Sequence, residues 1–151
     1  MSQLTKRSTV SLRREWRLFD RDHAQPESFL KLCERMVEVG EFLLAHDVAR
    51  AGLKKYPNHK ALAQRAAHAL CKAGSPLIAT QILEELAASG VNDVETQSLL
   101  ASAYKDLCEN TTDNEKKQGY ADLAIARYEQ AYQRRKSLGA EESAPDNLYY
   151  P

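Results

Sequence analysis

Two stretches of this 151-residue chain carry one pattern at a fixed offset. With 26–59 laid on 60–93, Gly40 falls on Gly74, Ala45 on Ala79 and Leu44 on Ile78, a spacing of 34 residues. A period of this length admits only repeat architectures, in which each unit is one supersecondary element that must bury its apolar side against a neighbour. The matched residues say which element. A glycine can adopt the left-handed conformation that ends a helix and lets the chain reverse within a few residues. An alanine carries only a methyl group, so two helices can approach closely at Ala45 and Ala79. Pro57 stops a second helix, Asn58 can cap the next, and Ser75-Pro76 places Ser at a helix N-cap and Pro at the first helical position. The pattern predicts antiparallel helix pairs.

A third unit starts near Val94 with Leu100, Ala101 and Tyr104 on its first helix, but Cys108 occupies the turn-glycine site and no alanine stands near residue 113. A polar insertion, Glu109 to Gln118, precedes a helical stripe of Tyr120, Ala121, Ala124, Tyr128, Ala131 and Tyr132. This unit is expected to be enlarged. In front, Ser11 to Arg21 reads as a short amphipathic helix with Leu12, Trp16 and Phe19 on one face, suited to capping the open end of a stack. The expected organisation is a disordered start and capping helix over 1–25, then a repeat domain over 26–138 with units 26–59, 60–93 and 94–138 and an insertion near 109–118. A polar tail over 139–151 ends on Leu148-Tyr149-Tyr150-Pro151 and reads as the lead into a missing C-terminal region.

Phe29, Leu32, Met36, Gly40, Ala45 and Pro57 stand at the aromatic, Leu, Tyr, turn-Gly, small-Ala and closing-Pro positions of a tetratricopeptide (TPR) repeat, with Cys33 at the first consensus glycine and Gly52 at the late alanine. Residues 26–132 thus resemble the TPR family. The resemblance implies an all-α fold, a TPR-like α-α superhelix of antiparallel helix pairs with about seven helices. It also implies a concave groove lined by first-helix side chains: Leu30, Glu34, Val37 and Glu38, then Gln64, His68, Cys71 and Lys72, then Ser98, Ser102, Lys105 and Asp106. The implied partner is another protein or peptide. The clamp that some TPR proteins use for chaperone C-terminal carboxylates needs Lys, Asn, Asn, Lys and Arg where this chain has Leu30, Glu34, Arg65, Glu95 and Leu99, so no clamp is expected. Within the third unit, Tyr104-Lys105-Asp106, a polar insertion, Ala124-Ile125-Ala126-Arg127-Tyr128 and a closing Tyr150-Pro151 resemble the TRAF-binding region of the apoptosis signal-regulating kinases and related bacterial TPR proteins. That narrower resemblance implies a regulatory, partner-binding region.

The 21 basic and 21 acidic residues cancel, so no global field draws the chain to nucleic acid or an anionic membrane. The basic excess of residues 1–25 and the run Arg134-Arg135-Lys136 read as solvated helix faces. No stretch approaches the roughly 20 apolar residues of a membrane span, and no signal peptide is evident. Cys33, Cys71 and Cys108 each sit in an apolar helical pattern, as small buried thiols do in a reducing compartment, which points to the cytoplasm. Catalysis requires polar groups that converge. Asp20, Asp22 and His23 are the densest ligand-like cluster, placed where a helix ends and charge is solvated; His46, His59 and His68 have no partner at ligand spacing. Glu84-Glu85 and Glu141-Glu142 are sequence neighbours that point apart on a helix or move in a tail, and no Gly-rich phosphate loop occurs. The chain is therefore expected to be no enzyme, with no cofactor and no metal, and to serve as a protein-protein interaction scaffold. Two alternatives stand beside it: a regulatory N-terminal domain of a larger signalling enzyme, and a homo-oligomer that associates through the solenoid end left uncovered after Tyr132.

Overall fold

The computed structural model describes residues 3–142. They form seven helices: α1 (Gln3–Arg17), α2 (Pro26–Glu38), α3 (Phe42–Lys55), α4 (Lys60–Lys72), α5 (Pro76–Ala88), α6 (Val94–Asn110) and α7 (Asn114–Glu142). No strand occurs among the described residues. The fold is all-α and built from helix pairs of TPR type. The chain divides between Ile78 and Ala79, inside α5, into two compact units.

In the first unit the helix ends obey the 34-residue spacing. Gly40, at φ +82°, donates its N–H to the Val37 carbonyl at 3.0 Å, and the Glu41 N–H reaches the Met36 carbonyl at 2.9 Å. This is a Schellman motif, which satisfies the last carbonyls of α2 and turns the chain back along α3. Gly74, at φ +87°, repeats it at the end of α4, with Gly74 to Cys71 at 3.1 Å and Ser75 to Leu70 at 2.8 Å. Nothing lies within 4 Å of where a Cβ would stand at either glycine, so the backbone conformation alone demands the residue.

Gly52 answers to a different need. A Cβ there would meet Leu62 Cδ1 and Phe29 Cγ at 3.0 Å, so the missing side chain lets α2 and α4 side chains close over the α3 backbone. The core of this unit follows: Phe29, Leu32, Cys33 and Met36 from α2, Ala45, Val48 and Ala49 from α3, and Leu62, Ala66 and Ala69 from α4. Each large side chain among them contributes about 1.5–3 kcal/mol through its removal from water. Leu12 and Trp16 of α1 join the same core, and an aromatic chain runs from Trp16 through Phe19 to Phe29, with centroids 5.6 and 4.9 Å apart. The Arg21 guanidinium sits 3.9 Å above the Trp16 ring centroid, covering its face.

Two boundaries differ from the sequence expectation. The first helix spans Gln3–Arg17 instead of Ser11 to Arg21, because Leu12 and Trp16 suffice to anchor its apolar side while Phe19 reaches Phe29 from the turn beyond the helix. The cap of α4 is His59 and not Asn58: its Nδ1 accepts the Leu62 N–H at 3.3 Å.

In the second unit α5 ends in a third Schellman motif, with Gly90 at φ +103°, Gly90 to Ala87 at 3.0 Å and Val91 to Leu86 at 3.2 Å. Asp93 caps α6 by accepting the Thr96 N–H at 3.0 Å. With Cys108 where a glycine would reverse the chain, α6 runs on to Asn110, 17 residues against the 13 of α2. The break comes at Thr111, and Asp113 then caps α7 through bonds from the Glu115 and Lys116 N–H groups at 3.0 and 3.3 Å. The expected insertion is thus mostly helix: Glu109 and Asn110 end α6 and Asn114 to Gln118 begin α7. At about 1.5 Å per residue, the 29-residue α7 is about 43 Å long and α6 about 25 Å. Ala124 and Ala131 are the small buried residues of α7, which packs extensively on α6. The helix continues through Gly139 to Glu142, where a polar tail was expected; Leu148 to Pro151 lie outside the described residues.

Candidate functional site

The interior of the second unit is organised by polar side chains from three helices. Glu84 on α5 receives the Arg127 guanidinium of α7 on both carboxylate oxygens, at 2.9 and 2.8 Å, and the Tyr104 hydroxyl of α6 on Oε1 at 2.7 Å. Arg127 also donates to Gln97 Oε1 at 3.1 Å and to Gln130 Oε1 at 3.3 Å, and Gln97, only 1 % exposed, donates its Nε2 to Asn92 Oδ1 at 3.1 Å. Such groups are costly to bury unless satisfied, and here each polar atom of Gln97 has a partner. Tyr104 stacks on Tyr120 at 6.4 Å. Burial, reinforced by its bond to Glu84, pushes the Tyr104 hydroxyl up to about 12, so it remains a neutral donor at physiological pH.

Beside this network lies an open cleft of about 510 Å³, lined by Asn92, Gln97, Arg127, Gln130, Gln133 and Arg134. Arg127 and Arg134 lie seven residues apart and so share one face of α7. Arg134 Nε donates to the Asn92 carbonyl at 3.0 Å, which ties α7 to the entry of α6. The lining can offer N–H donors and carboxamide acceptors, and it contains no carboxylate.

The groove positions drawn from the sequence fall into three classes. Glu34, Glu38 and Lys72 in the first unit, and Ser102 and Lys105 in the second, are exposed on their first helices. Leu30 and Val37 are half-buried and pack against the core of the first unit, while His68, Cys71, Ser98 and Asp106 are also half-buried. Gln64 is 5 % exposed, so it belongs to the interior side of α4 and not to a groove surface. Lys105 lies 3.9 Å from Glu109, one turn on. Of the clamp positions, Glu34 and Glu95 are exposed, whereas Leu30, Arg65 and Leu99 are half-buried.

Elsewhere, Asp20 and His23 form an exposed pair at 3.0 Å. Desolvation raises the Asp20 carboxyl, but the hydrogen bonds and charge from His23 together outweigh it and hold the group below its ordinary value. Among the described residues no group of three or more His, Cys, Asp or Glu could hold a metal ion. Burial pushes the Cys33 thiol up to about 11, which keeps it protonated and unreactive.

Glu84 and Glu85 point apart on α5, Glu84 onto Arg127 and Glu85 into solvent, whereas Arg134, expected in a solvated basic run, bonds the Asn92 carbonyl. A signal for this existed. Arg127 lies three residues after Ala124 and four before Ala131, on the buried stripe itself, and a charge in that position requires a partner.

Three comparisons bear on identity. The fold is similar to that of "MamA 41-end from Desulfovibrio magneticus RS-1", with a TM-score of 0.53 and 21 % identity over 97 % of this chain and 88 % of that one. A "MamA RS-1 ArsTM double mutant" aligns at a TM-score of 0.49 and 18 % identity, over 95 % of this chain and 99 % of that one. No curated protein matches the sequence. Residues 41–151 match the family described as Tetratricopeptide Repeats-Sensor. That match spans most of the chain, including both helices of the enlarged unit and the cleft they line, and the chain belongs to this TPR-S family.

Proposed function

We infer that this chain is a protein-protein interaction scaffold of TPR type that performs no chemistry of its own. The observation that carries the reading is the repeated helix pair: the turns after α2 and α4 are closed by glycines that the backbone conformation demands, and each first helix leaves polar side chains exposed. Glu34 and Glu38 on α2 and Lys72 on α4 in the first unit, and Ser102 and Lys105 on α6 in the second, are the positions that offer direct contact; Leu30, Val37, His68, Cys71, Ser98 and Asp106 are half-buried. The family description, which includes the word sensor, supports a role in which binding conveys a signal. The lack of a disulfide among Cys33, Cys71 and Cys108 supports a reducing, cytoplasmic location, and no described helix is long and apolar enough to cross a membrane.

The test is recovery of partners from the native cell extract by the full chain, beside variants with Glu34→Lys, Lys72→Glu and Lys105→Glu. These residues are exposed, so the variants are expected to fold as the parent does. Loss of a specific partner, with unchanged helical circular dichroism, is the expected outcome. Identical recovery by all variants would overturn the assignment of the first-helix faces.

A further inference from the structure

The cleft of the second unit has a chemistry that the repeat pattern does not require. Four of its six lining side chains are carboxamides and two are guanidiniums. Part of this lining is committed. Arg127 is held by Glu84 and Gln97, and Gln97 spends its amide on Asn92, so both are oriented before any ligand arrives. Gln130 accepts from Arg127 on Oε1 and Asn92 accepts from Gln97 on Oδ1, so each keeps its amide N–H groups to offer. Arg134 uses Nε on the Asn92 carbonyl, which leaves its two terminal nitrogens without a partner among the described residues, and the Gln133 carboxamide has none there either.

Each carboxamide presents one acceptor oxygen and a two-hydrogen donor, the complement of a peptide unit. Gln130 and Gln133, one turn apart on α7, can meet neighbouring N–H and C=O groups of an extended chain. A guanidinium with two free nitrogens matches a carboxylate in a bidentate fork. The Glu84 carboxylate already neutralises Arg127, so Arg134 brings the cleft's one uncompensated charge, enough for a single carboxylate. No aromatic ring lines the cleft, so it lacks the stacking platform that nucleobase binding uses.

We propose that this cleft binds a short acidic segment of a partner polypeptide, its main chain on Gln130 and Gln133 and one Asp or Glu side chain on Arg134. The proposal rests on the scaffold reading and gives it a second contact, on α7. Its occupant is an extended peptide, and a nucleotide is the alternative that the test separates.

The full chain is applied to an array of random decapeptides containing one internal Glu or Asp, and to the same array with Gln or Asn in that place. Preferential retention of the carboxylate set is expected, falling about tenfold for Arg134→Glu and several-fold for Gln133→Ala, with no change for Lys105→Glu. Both altered cleft residues are exposed, and helical circular dichroism checks that the variants fold. Equal retention of the two arrays, or retention indifferent to Arg134→Glu, overturns the proposal. So does binding of ATP that depends on Arg134 without any preference for carboxylate peptides. If the extract partner is still recovered in a manner dependent on Glu34 or Lys72, such a failure removes the cleft as a peptide site and leaves the scaffold reading standing.

Discussion

The first unit closes over Phe29, Leu32, Met36 and Leu62, all at 2 % exposure or less, and the polar side chains it buries among the described residues are Thr9 and Gln64. The second unit buries Thr96 and Gln97 beside Leu100 and links α5, α6 and α7 through Glu84. Both use the helix-pair plan, but they hold it by different physics. Apolar packing is non-directional and tolerates small shifts, whereas the bonds among Glu84, Tyr104, Arg127 and Gln97 require particular atoms at particular places. A long helix such as α7, which has to hold one register on a shorter α6, gains that register from directional contacts. The same contacts orient the cleft beside them.

The contrast can be broken most forcefully in the first unit. Phe29→Ala removes a fully buried ring that meets Phe19 and lies against Gly52, and is expected to cost about 3–5 kcal/mol in urea unfolding monitored by circular dichroism. A loss below about 1 kcal/mol would mean that the apolar core does not hold this unit.

The second unit should respond less and with a different signature. Arg127→Leu strands Glu84 and is expected to cost about 1–2 kcal/mol, below the figure for a fully buried pair because Glu84 is 36 % exposed. Adding Glu84→Leu to it should recover part of that loss, since no charge then remains unpaired. Strict additivity of the two changes in a double-mutant cycle would show that the pair does not act as a unit.

Glycines sharpen the comparison at the smallest scale. Gly40→Ala forces a side chain into φ +82° and is expected to destabilise by about 1 kcal/mol. Gly119 lies within α7, outside the set of positive-φ glycines, with nothing within 4 Å of a Cβ, so Gly119→Ala should stabilise by about 0.5–1 kcal/mol. Thermal unfolding of the two variants should move in opposite directions; a shared direction would contradict the assignment of Gly40 to a backbone requirement.

These differences also explain what could be seen in the sequence. Gly40, Gly74, Ala45 and Ala79 were legible because a backbone conformation or a close approach is met by one residue type, and the period repeats it. Gly90 does the same work at the end of α5 but has Tyr56 as its counterpart in the first unit, so the period conceals it. The start of α7 was hidden for another reason. Asn114 to Gln118 form a fully exposed helical turn, and a helix with no buried side carries no apolar period, although Glu, Lys and Gln are good helix formers. The groove positions follow from repeat alignment, which fixes a position on a helix and not its exposure: Gln64, aligned with Leu30, is buried on α4. The cleft was out of reach of periodicity, since its partners come from positions as far apart as Glu84 and Arg127 and nothing local encodes their pairing.

The central claim, that the repeats bind another polypeptide through their first helices, is tested most directly by hydrogen exchange of the full chain with and without the partner it recovers. Slowed exchange is expected in peptides covering 30–38, 64–72 and 98–106, with α3 unchanged. Exchange that is unaltered in all three segments, or slowed only in α3, would contradict it.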